Sequence, residues 1–472
     1  MRAPSALILA VLTAGSACMA GVTPAAAEPA PVSSAAAVED ELLGKLTAIP
    51  GLTVVSQTRS IGYRFFVLRL TQPVDHRDPG RGTYQQRLTL LHRSADAPTV
   101  LSTGGYSLPI TPRPSQTEPT RLLDANQVSV EHRFFRTSRP DPMDWKKLDI
   151  RQEADDEHRI VEALKTIYTG KWIQTGASKG GMASVYHRRF YPDDVDGVVA
   201  YVTPNDRVNP SDRAYDDFFA KVATRACRTA LENVQIEALK RRKRLVPKLV
   251  RAAALDGLTF RRSLGTPDRS FELTVLDTAW VFWHYSRGTD CSEVPATAAS
   301  DDEIYDWIDD LADFSFNTDQ GIARYIPYYY QAASQLGWPE LKFAHLRHLT
   351  RYPKLYQPNS VLPPELRPKH DPKPMLDVDR WVRKESSRMM FIYGENDPWS
   401  AERFTPSQND SHLYVAPRIG HSANISWLSP ADRAAAIATL ERWAGLSDGV
   451  TVNSPTPPPL PADDMLPTRG KR

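Results

Sequence analysis

The 472-residue chain holds three cysteines, a scarcity that excludes a scaffold knotted by disulfides. It contains no His-Glu-x-x-His, no paired Cys-x-x-Cys and no phosphate loop, so no metal, nucleotide or other cofactor is expected. Neither sign of charge is in excess: 58 Lys and Arg against 56 Asp and Glu leave a formal +2, too little to attract a phosphate backbone. Nucleic acid is therefore not an expected partner. No apolar run reaches the roughly 20 residues a membrane helix needs, so a membrane is not expected either. What remains is the composition of a globular protein, 41% hydrophobic and 24% charged. The length suits one large domain with a sizeable insertion, or two domains.

Residues 1–27 read as a signal peptide: Arg2 gives a basic start, Ala6 to Ala14 an apolar stretch, and Ala25-Ala26-Ala27 a small-residue cleavage site. A secreted, extracellular protein is the expectation. Cys18 is a poor lipoprotein site because Gly15 stands where such sites usually carry leucine. Cleavage would leave Cys227 and Cys291, an even count in an oxidising compartment, which form one disulfide or remain two buried thiols. Residues 28–37, rich in Ala, Pro and Ser, read as a linker or short pro-segment.

The first part of the core is expected over 38–206, where from about Tyr63 to Val202 short apolar runs alternate with turns and helical stretches, the pattern of a sheet that begins antiparallel and continues as βαβ units. Strands are expected at 63–70, 84–92, 98–103, 127–131, 172–175 and 195–202, with a helix over 151–168. That helix opens with Glu153, Asp155, Asp156 and Glu157, as the helix dipole favours. Residues 207–374 are helical, aromatic and basic, without strand alternation, and read as an inserted cap. The core resumes over 375–449 with strands at 389–393 and 412–415 and a helix near 430–444. Residues 450–472 contain Pro-Thr-Pro-Pro-Pro-Leu-Pro and read as a disordered tail.

Gly176-Ala177-Ser178-Lys179-Gly180 fits G-x-S-x-G between an apolar strand and a helix, the strand-to-helix turn that presents a nucleophilic serine. An unassisted hydroxyl is a weak nucleophile near neutral pH, so a base and an orienting carboxylate are required. In this arrangement the chain order is serine, acid, histidine. Asp397, just past the apolar run Met389–Tyr393, is the candidate acid, with Glu395 its rival. His421, in a loop after a strand and preceded by Gly420, is the candidate base. The N–H of Lys179 and that of Gly105 or Tyr106, in the glycine-bearing loop after the third strand, are the expected oxyanion donors. The fold class is thus an α/β-hydrolase core, its central sheet mostly parallel, with an inserted helical cap.

Gln72-Pro73-Val74-Asp75-His76, Thr99 to Tyr106, Glu131-His132-Arg133-Phe134-Phe135 and Gly176 to Met182 together resemble the bacterial secreted prolyl tri- and tetrapeptidyl aminopeptidases. The Q-P-x-D-H and E-H-R-[FY]-[FY] elements are also similar to those of lysosomal Pro-Xaa carboxypeptidases and their dipeptidyl-peptidase relatives. The resemblance covers essentially the whole mature chain. It implies a serine peptidase with Ser178, Asp397 and His421 and no metal, removing tri- or tetrapeptides from a free N-terminus with proline before the cut. Lys179 stands where the lysosomal relatives carry an aromatic residue, so their polarity does not transfer.

A proline ring needs an apolar, partly aromatic pocket, for which the cap offers Trp280, Phe282, Trp283, Tyr285, Trp307, Tyr325, Tyr328, Tyr329 and Tyr330. A free α-amino group needs a carboxylate, for which Glu303, Asp306, Asp309 and Asp310 are candidates, a solvated helix face being their alternative. Glu131-His132-Arg133 either touches substrate or forms an ion-pair network. The expected partners are peptides with a free N-terminus, met by a monomer. Two rival functions use the same sequence: an esterase or lipase with the same triad, and an inert surface-binding protein suggested by the proline-rich tail.

A Cys227–Cys291 bridge would close a loop of about 65 residues and stabilise by roughly 3–4 kcal/mol in the chain-entropy model. Denaturant unfolding with and without reductant is expected to differ by that amount, and equal stabilities would mean two free thiols.

Overall fold

The computed structural model describes residues 34–207, 212–285 and 291–446, with side chains from residue 41 onward. The expected signal peptide and the tail lie outside these residues. The chain forms two compact units, one up to Lys45 and one from Leu46 on. Helix α1 (Ser34–Ala48) starts inside the segment expected to be a linker.

Nine strands form one sheet: β1 (Leu52–Ser60), β2 (Tyr63–Pro73), β3 (Thr83–His92), β4 (Thr99–Thr103), β5 (Asn126–Val130), β6 (Trp172–Ala177), β7 (Gly197–Tyr201), β8 (Met389–Gly394) and β9 (His412–Ala416). Their order is β1-β2-β3-β5-β4-β6-β7-β8-β9, antiparallel from β1 to β5 and parallel from there to β9. This is an α/β-hydrolase sheet. The strands β7 and β8 are buried at every position, which is why they read as unbroken apolar runs. The strand β1 was not expected from the sequence. It is an edge strand whose residues are mostly exposed, so pairing rather than burial holds it and no apolar alternation marks it.

Helices α2 (Glu118–Leu122), α3 (Ile150–Lys165) and α4 (Lys179–Phe190) belong to the first half of the core. The segment expected to form the cap holds α5 (Arg213–Lys221), α6 (Arg225–Lys240), α7 (Arg242–Leu255), α8 (Pro267–Tyr285), α9 (Asp301–Ala312), α10 (Asp319–Ala323), α11 (Ile326–Gln331) and α12 (Pro358–Val361). No strand occurs among its described residues. Phe271, Ile304, Ile308, Phe314, Ile322 and Leu346 are buried in one cluster that also takes in Phe134 and Leu148 from the part of the chain that precedes β6. Cys227 on α6 and Cys291 beyond α8 lie with Cα atoms 5.4 Å apart, the separation a disulfide requires. Helix α13 (Lys373–Lys384) returns to the core, where Asp377 accepts from Arg189 of α4 at 3.1 Å, and α14 (Pro430–Trp443) completes it.

The acidic start of α3 does more than complement a dipole. Glu153, Asp155, Asp156 and Glu157 are all buried. Asp156 accepts from Arg133 Nε (2.6 Å) and Nη2 (2.9 Å) and from Tyr84 Oη (2.7 Å), and lies 2.7 Å from His76 Nε2. Gln72 donates to the Asp156 carbonyl at 2.9 Å, while Asp75 is bound by Gln152 and Lys147. The sequence segments around Gln72–His76 and Glu131–Phe135 are therefore fastened to α3 by a buried polar network.

Burial opposes charge on Asp156, but Arg133 and His76 outweigh it and hold the carboxyl down at about 2. A depressed folded value means stability that is present above the ordinary 3.8 and lost as pH falls through about 2. Asp156→Asn, which leaves Arg133 buried without its partner, is expected to cost about 3–5 kcal/mol in urea unfolding at pH 7. The variant should also lack the part of the wild-type acid sensitivity that falls between those two pH values.

Candidate active site

The chain passes from β4 to β5 on one side and then to β6 on the other, so strand order reverses between β4 and β6. Open α/β sheets hold their ligands in the crevice at the carboxyl ends of strands at such a reversal. Two glycine-bearing turns emerge there. Ser178 sits between β6 and α4 with φ 55° and ψ −127°, a strained conformation for a residue with a side chain. A Cβ on Gly176 would run into the Gly180 carbonyl, and one on Gly105, at φ +70°, would fall 2.7 Å from the Gly180 nitrogen. Thr103 Oγ1 donates to the Gly180 carbonyl at 2.8 Å, closing the two turns on each other.

Asp397 and His421 come together from the ends of β8 and β9, with Oδ2 2.9 Å from Nδ1. Both are buried, Asp397 completely. Asp397 also accepts from Ser400 Oγ (2.6 Å) and the Trp399 N–H (3.1 Å), which fixes its orientation. A carboxylate at Nδ1 accepts its proton, leaving Nε2 with a lone pair. Nε2 is buried and has no hydrogen-bond partner among the described residues, so the bond to Ser178 is not formed in this structure. Catalytic hydrogen bonds are often long or misaligned without substrate. Glu395, the rival acid, is exposed and accepts from the Arg418 N–H at 2.7 Å.

The residues expected at the oxyanion are held from beneath. The His132 N–H donates to the Tyr106 carbonyl (2.9 Å), and Glu131 accepts from the Leu108 N–H (3.0 Å) while pairing with Arg87. The Lys179 side chain is buried, its Nζ 3.7 Å from Glu153, which in turn lies 3.0 Å from His132. Burial pulls Lys179 below its ordinary range, with Glu153 and Glu157 acting the other way. Burial likewise disfavours charge on Glu153, yet His132 and Lys179 hold it down at about 2. Glu131-His132-Arg133 is thus an ion-pair network under the site.

Sequence reasoning missed three supports. His284 of α8 stacks on His421 with ring centroids 4.2 Å apart, and its carbonyl accepts the His421 N–H at 2.9 Å. Buried Glu118 accepts from Ile425 and Ser426, just beyond His421, and from Tyr201. Trp399, two residues past Asp397, lines the cavity above Ser178. Only the proximity of Trp399 to Asp397 was visible in the sequence. His284, Asp397 and His421 also form a group whose ligand atoms lie within 4.8 Å of one another, as a metal site would need, but two of the three already bond to each other.

A cavity opens on Ser178, walled by Tyr106, Trp280, Tyr285, Tyr328 and Trp399. Of the cap aromatics proposed from sequence, Tyr325 and Tyr329 also reach it. Phe282, Trp283 and Trp307 instead pack around Cys227, and Tyr330 packs on Trp145 at 5.3 Å. Glu303, Asp306, Asp309 and Asp310 of α9 do not line this cavity. Glu303 caps its own helix at Ser300, Asp309 accepts from the Phe314 N–H, and Asp306 and Asp310 face solvent.

Residues 33–465 match the family model described as PS-10 peptidase S37. The prolyl tri/tetrapeptidyl aminopeptidase of Streptomyces mobaraensis is 47% identical over 432 residues, 90% of this chain and 90% of that one. Among solved structures, proline iminopeptidase from Mycobacterium smegmatis is similar at 14% identity over 80% of this chain and 98% of its own, with a TM-score of 0.38. Epoxide hydrolase A from Mycobacterium thermoresistibile is similar at 12% over 83% and 98%, with a TM-score of 0.32. Scores this low add nothing to the strand order, which gives the fold by itself.

Gly105→Ala puts a Cβ at positive φ against the Gly180 nitrogen, so the two turns must separate. The strain alone is about 1–2 kcal/mol. Hydrolysis is expected to fall at least about tenfold, as suits a displaced oxyanion donor. Steady-state kinetics beside a thermal melt reads both, and wild-type activity in the variant would show that the loop does not matter.

Proposed function

Because the chain belongs to the PS-10 peptidase S37 family, we propose that it is a secreted serine exopeptidase releasing tri- or tetrapeptides from a free N-terminus, with proline before the cut. Serine peptidase activity follows from the family and from the Streptomyces relative. That relative is a prolyl tri/tetrapeptidyl aminopeptidase, which supports the finer specificity. The observation that carries it is the aromatic cavity over Ser178, whose apolar rings suit a proline ring. Export is supported by the signal-like N-terminus and by the proximity of Cys227 and Cys291.

In this mechanism Ser178 Oγ attacks the carbonyl carbon of the proline residue while His421 Nε2 takes its proton. Asp397 keeps the imidazole in the tautomer that can accept and stabilises the imidazolium that forms. The oxyanion is met by the N–H of Lys179 at the start of α4 and by that of Gly105 or Tyr106. The imidazolium returns its proton to the leaving amine, giving an acyl-enzyme on Ser178. Water, deprotonated by the same nitrogen, then releases the tri- or tetrapeptide. The strained backbone at Ser178 supports this role, since it holds the hydroxyl out at the turn.

Three measurements test the reading. Ser178→Ala is expected to abolish both hydrolysis and labelling by a fluorophosphonate. Asp397→Asn should lower kcat by about 10⁴-fold with the protein still folded, because the imidazole then takes the wrong tautomer. A panel of proline-containing peptides, free and N-acetylated, read by mass spectrometry, should show release only from free N-termini. Equal cleavage of acetylated peptides would defeat the aminopeptidase assignment, and hydrolysis surviving in Ser178→Ala would defeat the nucleophile.

A further inference from the structure

An exopeptidase that counts residues from a free N-terminus needs a fixed negative charge at a set distance from its nucleophile, and the acidic helix α9 does not supply it. Asp206 lies just beyond β7, at the carboxyl edge of the sheet where the cap begins. It is 4% exposed, and its Oδ2 has no hydrogen-bond partner among the described residues. It lines a narrow recess together with Ser178, Met182, Tyr328, Gly337 and Trp399. Ser178, Tyr328 and Trp399 also wall the larger aromatic cavity, so both cavities reach the same hydroxyl.

Among the described residues, no cation is paired with Asp206. Asp212 and Glu402 act on it as like charges, and the buried Tyr215 hydroxyl favours its charged form. The nearby cations are turned elsewhere: Arg207 pairs with Asp379 at 3.0 Å, and Lys179 faces Glu153 at 3.7 Å. Burial and the two neighbouring carboxyls hold Asp206 well above its ordinary range, so its charged form gains from the arrival of a ligand cation. Such a site costs stability unless a cation completes it.

Resting on the exopeptidase reading, we propose that Asp206 is the anchor for the substrate's α-ammonium group. The ammonium enters between the carboxylate and the faces of Tyr328 and Trp399, which add cation–π attraction. Longer approaches from the interior of a chain carry no ammonium and leave Asp206 unpaired.

The test is a comparison of free and N-acetylated forms of one tripeptidyl-proline amide substrate with wild type, Asp206→Asn and Asp206→Glu. For Asp206→Asn, the KM of the free peptide is expected to rise by at least about 30-fold while that of the acetylated peptide moves little, collapsing the discrimination between them. Fluorophosphonate labelling of Ser178 reports that the variant is folded. An equal change for both substrates, or retained discrimination in a labelled variant, overturns the proposal. Should Asp206→Asn fail to fold, Asp206→Glu decides: a shifted KM confined to the free peptide supports the anchor, and equal shifts for both substrates overturn it. If wild type itself cleaves both forms alike, the exopeptidase reading fails regardless of Asp206.

Discussion

The site depends on one close approach, that of the turn after β4 to the turn after β6. At this point the carbonyl of Gly180, the hydroxyl of Thr103 and the backbone of Gly105 are packed without room for a side chain. Both turns rise from neighbouring parallel strands at the place where strand order reverses. The crevice, the strained serine and the loop facing it are therefore consequences of a single backbone contact. Glycine is required there by geometry, and the apolar strands behind it fix the geometry.

Beneath that contact lies a layer of buried charge. Lys179 leans on Glu153, Glu153 on His132, and Glu131 on Arg87 and the Leu108 N–H, while Asp156 gathers Arg133, His76 and Tyr84. Paired in this way, the ions tie α3 to the segments that carry both turns, and loss of any one partner leaves another charge stranded in the interior. Above the contact, the cap acts on the imidazole through α8, whose His284 covers one face of the ring and accepts from its backbone. Ser178 is thus held between β6 and α4, whereas His421 is held both by the loop after β9 and by α8.

Much of this was legible in the sequence, and the failures have physical causes. Strands β2 to β9 and the helices α3 and α4 declared themselves by apolar runs between turn residues. The edge strand β1 did not, because backbone pairing leaves no periodic trace when most side chains stay in water. Ser178, Asp397 and His421 could be named from their positions after strands. Their supports could not: Glu118 lies 303 positions before His421 in sequence yet bonds to the residues that follow it, and His284 sits in a helix with nothing local to mark it. The carboxylates of α9 looked suitable by composition, but helix geometry turns them to solvent or to their own caps.

The sequence by itself determined what is local: which runs must be buried, where the chain must bend through glycine, and which side chains could serve as nucleophile, base and acid. Period and turn chemistry act over a few residues, so they are visible without coordinates. Only the tertiary structure decided what is relative. It chose Asp397 over Glu395 by bringing one to the imidazole and leaving the other in water. It also left Asp206 without a cation while giving Asp156 three donors beside it. Burial and pairing of charge are properties of the whole packed chain, and no stretch of sequence carries them.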